Sequence, residues 1–312
     1  MEKIKCVILS ILAVVMSMFS TVVAQSSSDA YQTETFSVEN SPSVLINTSG
    51  GHIDVVGHSD NEVRVEMYVR KGNRYYSVSD TDLDDYEITI EKQGNTVTAS
   101  AKKENSSSFG GWFRSGDNFS IAFKVFTPES SLVEARTSGG HISAENLQND
   151  LSARTSGGHV SVDRIVGTMD LRTSGGHIEI LNSSGNTDAR TSGGHINAEN
   201  TQGELNLRTS GGHITLEEVQ GAVSGRTSGG SITANLLEIT GDLDLRTSGG
   251  SIRISVPDEA GYDLNLRGNR VNVKLQNFTG DSERGRILGK MNGGGHSIQA
   301  RTSGGSVNVD FS

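Results

Sequence analysis

The chain is poor in cysteine, proline and aromatic residues: one Cys, three Pro and 5% Phe, Trp and Tyr in 312 residues. A single Cys cannot build a disulfide-stapled module. Three Pro, with no Gly at every third position, exclude a collagen-like chain. Apolar residues make up only 33%, which is lean for a globular core of this length. What replaces them is Gly, at 38 residues, well above its usual share of roughly 7%. So much Gly excludes an all-helical bundle, because each Gly inside a helix costs about 1 kcal/mol. Charged residues reach 21% with both signs mixed, so wholesale disorder is also excluded. The formal net charge of −10 argues against a nucleic-acid partner, since phosphate contacts need Lys and Arg in excess.

Internal repetition dominates the remaining signal. The string Arg-Thr-Ser-Gly-Gly recurs with its Arg at 136, 154, 172, 190, 208, 226, 246 and 301. The first five intervals are 18 residues and the sixth is 20. A related copy, Asn47-Thr48-Ser49-Gly50-Gly51, lies far upstream. After each Gly-Gly, segments such as His177-Ile178-Glu179-Ile180 alternate polar and apolar, the period of a strand with one buried face. Ser183-Ser184-Gly185-Asn186 supplies a second turn. Each unit therefore offers two short strands, with a third piece at the corner near Ile165 or Val219. Eighteen residues cannot bury a core alone, but stacked coils can, which predicts a solenoid with a rise of about 4.8 Å per coil. The apolar offsets do not follow the six-residue period of a triangular left-handed helix. The third Gly and the Asp of the calcium-binding nonapeptide roll are also missing. The Ser-Gly-Gly turns are expected to place at least one Gly at positive φ.

The predicted fold class is all-β: a β-solenoid of about 18-residue coils with an N-terminal β-sheet cap. Residues 1–24 read as a signal peptide. Lys3 and Lys5 precede an apolar run from Cys6 to Val23, and Val22-Val23-Ala24 before Gln25 fits a cleavage site. Residues 25–34 form a mobile leader, 35–130 an N-terminal β region and cap, and 131–312 the solenoid repeats. The expected location is therefore exported: periplasmic, cell-surface or secreted.

The Thr-Ser-Gly-Gly-His-Ile turn and strand repeat follow a Phe36-Ser37-Val38…Leu45-Ile46-Asn47 opening. Phe123-Lys124-Val125-Phe126-Thr127-Pro128 leads into the repeats, and Gly293-Gly294-Gly295-His296 precedes the last one. Over about residues 35–312 this resembles the bacterial putative-adhesin β-strand-repeat family, a domain of unknown function. The resemblance implies a solenoid and an adhesive role, with no catalytic or ligand residues to carry over. The regularity of the His and Arg positions departs from that family.

His141, His159, His177, His195 and His213 occupy one place in five consecutive coils, and His52 matches them upstream. Because the next residue faces in, these His face out. At the coil spacing, neighbouring imidazoles are candidate ligands for a shared transition metal; the alternative is a solvated ladder copied by duplication. The Arg column runs parallel, with Asp170, Asp188, Asn206 and Asp244 two residues before an Arg. That spacing is expected to balance the charge rather than make a polyanion-binding stripe. Phe109, Trp112 and Phe113 sit among Ser and Gly and are candidate contacts with a membrane, glycan or partner.

An adhesin-like binding or structural role, non-enzymatic and in the cell envelope, is the favoured reading. A metal-binding His ladder and a polysaccharide-active β-helix enzyme are its alternatives. The coils are near-copies, so none marks itself as an active site. No cofactor is implied. The partner is open among an envelope glycan, a peptide and a protein. Membrane contact is confined to an uncleaved signal segment or the aromatic loop.

Overall fold

The computed structural model describes residues 30–81, 83–103, 118–258 and 260–311. The signal segment, residues 25–29 of the leader, and Phe109, Trp112 and Phe113 lie outside the described residues; leader residues 32–34, expected to be mobile, belong to strand Gln32–Ser37, paired with Glu62–Lys71. The described chain forms 27 strands in one continuous sheet and no helix. In the repeat array the sheet winds as a β-solenoid. Strand Val160–Ile165 pairs in parallel with Ile178–Leu181, which pairs with Ile196–Glu199. Met169–Arg172 likewise pairs with Thr187–Arg190. Each register step equals one repeat, so every column holds the same motif position. Isolated bridges Val166↔Ser184 and Ser184↔Gln202 form the third, minimal side at the corner.

Alternation decides which residues enter. Val160, Ile178, Ile196 and Ile214 stack inside from one strand, and Leu171, Ala189 and Leu207 from the other, all with almost no exposure. Burying such side chains contributes about 1.5–3 kcal/mol each for the larger ones, which is where a coil's stability comes from. The Thr of the motif is also buried. Its hydroxyl bridges two coils: Thr155 Oγ1 donates to the Gly140 carbonyl at 2.8 Å and accepts the Gly158 N–H at 3.3 Å. Val would fill the space but leave both backbone groups unsatisfied.

The expectation of positive φ in the Ser-Gly-Gly turns is not met. The left-handed residues lie at the opposite corner, at Asn146, Asn182 and Asn200 (φ 59°, 48° and 49°). Gly185 and Gly203 follow three residues after Asn182 and Asn200, with φ 122° and 130°. In the Ser-Gly-Gly turns, Gly is required by close approach instead. A β-carbon on Gly176 would lie 1.9 Å from the Gly158 carbonyl oxygen of the coil below.

Both ends depart from sequence order. Ser43–Thr48 stacks between Thr96–Lys103 and Leu132–Thr137, so the upstream Asn47 copy sits directly against the first regular coil. Ile53–His58 stacks between Ser120–Pro128 and Ile142–Leu147. Antiparallel strands Gln32–Ser37, Glu62–Lys71 and Tyr86–Gln93 continue the sheet beyond that coil and cap it. At the other end, His296–Thr302 inserts between Leu243–Thr247 and Tyr262–Arg267. The last copy in sequence is therefore internal in space. The polar segment around Asp281 forms strand Phe278–Glu283, hairpin-paired to Arg286–Met291. The antiparallel pairing of Arg286–Met291 with Tyr262–Arg267 closes this end.

Candidate functional site

The His column is built by the turn. Gly-Gly brings successive coils so close that the N–H of the following residue points at the side chain in the same column one coil earlier. That side chain must accept. His141 Nδ1 accepts the His159 N–H at 2.7 Å, and His159 Nδ1 the His177 N–H at 2.8 Å. The same bond runs from His52 to the Ser231 N–H. Ser231 and Ser251 then take over, their Oγ atoms accepting at 3.2 and 3.1 Å. With Nδ1 engaged as acceptor, the neutral ring carries its proton on Nε2, which faces outward.

The rings of His52, His141, His159, His177, His195 and His213 are stacked, with centroids 4.7–5.1 Å apart. From His52 to His195 the planes agree within 5°. Burial first, then the charge of ring neighbours, holds His141 and His177 below the ordinary imidazole range. The expectation of one metal ion shared by adjacent imidazoles does not fit this geometry. Two nitrogens on one zinc ion, each at about 2.1 Å, can be at most about 4.2 Å apart. The rings are farther apart than that, and parallel rings aim their Nε2 atoms side by side rather than together. Among the described residues no three His, Cys, Asp or Glu side chains are placed to hold a metal ion.

Across the turn runs the Arg column. Arg172 Nε bonds Asp170 at 2.7 Å, and Arg154 also pairs with Asp170 from the neighbouring coil. Arg190 pairs with Asp188, Arg136 with Glu134, and both Arg226 and Arg246 with Asp244. Burial alone would raise the Asp170 carboxyl, but its hydrogen bonds and charge contacts with Arg154 and Arg172 outweigh it and hold the group below the carboxylate range.

A cleft of about 220 Å³ opens at the N-terminal end of the His column, lined among others by His52, Asp54, Tyr68, Arg70, Tyr75 and Lys124. Tyr68 donates its hydroxyl to Glu66 Oε2 at 2.8 Å. Burial, then that carboxylate, pushes its phenol up to about 12. Sequence reasoning missed this cleft because three separate segments build it, and the out-of-order stacking of Ile53–His58 on Ser120–Pro128 brings them together. Among the described residues, neither of the two carboxylates with a displaced ionisation is raised. Asp170 is lowered as described, and Asp80 is lowered chiefly by the Ser77 N–H. General acid catalysis at neutral pH needs the opposite shift. The aromatic candidates Phe109, Trp112 and Phe113 lie outside the described residues, so they are not placed relative to these columns.

The fold and its ladders define a β-solenoid that presents long columns of identical side chains. The chain belongs to the Toastrack DUF4097 family, a domain of unknown function, whose model matches residues 60–310. Among solved structures it is similar to a putative adhesin from Bacteroides fragilis, at 12% identity over 89% of this chain and 96% of that one, with a TM-score of 0.45. A putative adhesin from Parabacteroides merdae is 14% identical over 89% and 95%, TM-score 0.48. A putative lipid binding protein from Parabacteroides distasonis is 15% identical over 89% and 96%, TM-score 0.46. No curated protein matches the chain.

Proposed function

We propose that the protein is an exported, non-enzymatic binding scaffold of the cell envelope, adhesin-like in using a long repetitive face rather than a pocket. The carrying observation is the uniformity of the columns. From Ile142 to Ile214 each coil presents the same His, Ser and Arg in register, so affinity would arise by repetition along the rod. A hydrolase needs one coil unlike the others, with a carboxylate of raised pKa in a cleft. The outward-facing residues of the columns serve an extended ligand better than a small one. Export rests on the basic, apolar and small-residue pattern of residues 1–24.

The test is a binding assay of the purified protein against isolated envelope fractions, run beside a panel of polysaccharides checked for new reducing ends. Saturable envelope binding with no cleavage supports the reading. Cleavage of any polysaccharide, or fractionation of the native protein with the cytoplasm, overturns it.

A further inference from the structure

The Arg column is longer than the motif reveals. The register carries it from Arg136 through the motif copies to Arg246 and Arg301. It then continues onto Arg267 and Arg286, which belong to no repeat. Ten arginines thus stand in neighbouring strands, a row of about 43 Å at the inter-strand spacing. The column two residues earlier supplies only four carboxylates: Glu134, Asp170, Asp188 and Asp244. Beside Arg301, Arg267 and Arg286 stand Gln299, Asn265 and Leu288 instead. These three arginines make no ion pair among the described residues, and neither does Arg208. The Nε atoms of Arg286 and Arg301 are buried without a hydrogen-bond partner, as are those of the ion-paired Arg154 and Arg226. Glu283 is the next residue outward from Arg286. The expectation of a charge-balanced face therefore holds from Arg136 to Arg190 and at Arg226 and Arg246, and fails at Arg208 and at the C-terminal end of the column.

We infer that this edge of the solenoid binds a linear anionic polysaccharide, anchored at Arg301, Arg267 and Arg286. The inference rests on the scaffold reading above and names its ligand class. Guanidinium groups recognise carboxylate and sulfate in a planar, two-pronged fashion. Two residues on, the exposed Ser of each turn adds a column of hydroxyls suited to sugar hydroxyls. A shallow groove of about 280 Å³ lies between the two columns, lined among others by Arg136, Ser138, Arg154 and Ser156. Single-stranded nucleic acid fits poorly. Between Phe126 and Tyr262 the chain has no Phe, Trp or Tyr on which bases could stack.

The experiment measures binding of the full chain to alginate, to neutral dextran and to an oligo-dT strand at two salt concentrations. The variants are Arg267→Ser/Arg286→Ser/Arg301→Ser and, as a charge control, Arg70→Ser/Lys124→Ser in the distant cleft. Arg208→Ser is a mid-column variant that keeps the end cap intact. Expected are salt-sensitive alginate binding, none to dextran, and about a tenfold weakening in the triple variant with smaller loss in Arg208→Ser. The charge control should stay close to the parent. If the triple variant no longer melts cooperatively, the Arg208→Ser result decides, and parental affinity there overturns the inference. Absent alginate binding, equal loss in the charge control, or tighter binding of oligo-dT also overturns it. Envelope binding that survives all variants would sink the ligand assignment while leaving the scaffold reading intact.

Discussion

The two glycines of each Ser-Gly-Gly turn do different work. A β-carbon on Gly175 would meet the Gly157 carbonyl oxygen at 3.7 Å, an ordinary contact, whereas one on Gly176 would be driven into the Gly158 backbone. Gly175→Ala should therefore unfold close to the parent in urea. Gly176→Ala should lose about 2–3 kcal/mol or more, because coils that cannot separate locally must distort. Equal midpoints for the two variants would refute the close-approach account. The His position carries a parallel test. His177→Ser keeps an acceptor for the next N–H, as Ser231 does for Ser251. His177→Val removes it and leaves the His195 N–H without its partner, a loss of about 1 kcal/mol. Val favours strands, so intrinsic propensity predicts the reverse order. Denaturation of both variants separates the two explanations.

Protonation acts at the same scale. The folded-state pKa values of His141 and His177 are lowered by burial and by their ring neighbours. The unfolded chain then binds more protons than the folded one at mildly acid pH. Their contribution to stability is complete above the ordinary imidazole value of about 6.5 and is lost as pH falls through the lowered folded values. Melting temperatures at about pH 7 and about pH 5 should show a drop in the parent. That drop should be smaller in His141→Ser/His177→Ser. Asp170, also lowered, acts in the same direction, but only below the ordinary carboxylate range. A parent and variant that fall in parallel would remove the His column as the cause.

At the scale of the element, the corner opposite the Ser-Gly-Gly turn holds the backbone strain. Asn146, Asn182 and Asn200 adopt left-handed φ there, and Asn tolerates it. Amides also bond along the corner, Asn200 Nδ2 to Asn182 Oδ1 at 2.8 Å. Arg164 and Glu218 occupy the same place with φ 55° and 56°. Arg164 is held by ion pairs to Asp163 and Glu145. Glu218→Asn should stabilise the fold by about 0.5–1 kcal/mol by relieving strain and extending the amide row. An unchanged or lower denaturation midpoint would show that the strain is absorbed elsewhere. The sequence displayed this corner as Ser183-Ser184-Gly185 and its equivalents, so its existence was legible. Its left-handed residue was not, because Asn, Arg and Glu share no side-chain signature while sharing a φ. For the same reason positive φ was expected at the Gly-Gly pair. There two glycines announce themselves, but close packing rather than handedness selects them.

At the scale of the whole molecule, the regular array from Leu132 to Val256 was readable because each coil pairs with its sequence neighbour. A fixed interval in sequence there becomes a fixed translation in space. The His and Arg columns follow from that translation alone. The ends were not readable. Where a strand pairs with one far away in sequence, as His296–Thr302 does with Leu243–Thr247, periodicity carries no information about the partner. The N-terminal cleft and the extension of the Arg column both arise from such pairings. One consequence separates the two pictures. If the Arg301 copy were terminal, removing residues 296–312 would cost one end coil and leave its neighbour exposed but paired. In the observed order the same truncation removes an internal coil. Leu243–Thr247 and Ile252–Val256 lose their partners on that side, and Tyr262–Met291 loses its parallel attachment to the array. Stability in stacked repeats is the sum of coil and interface terms, so two interfaces vanish instead of one. The truncated protein should therefore be cut by protease within residues 257–291 under native conditions, while residues 132–247 stay protected. A truncated chain that keeps residues 257–291 protected would show that Tyr262–Met291 closes the array without the inserted coil.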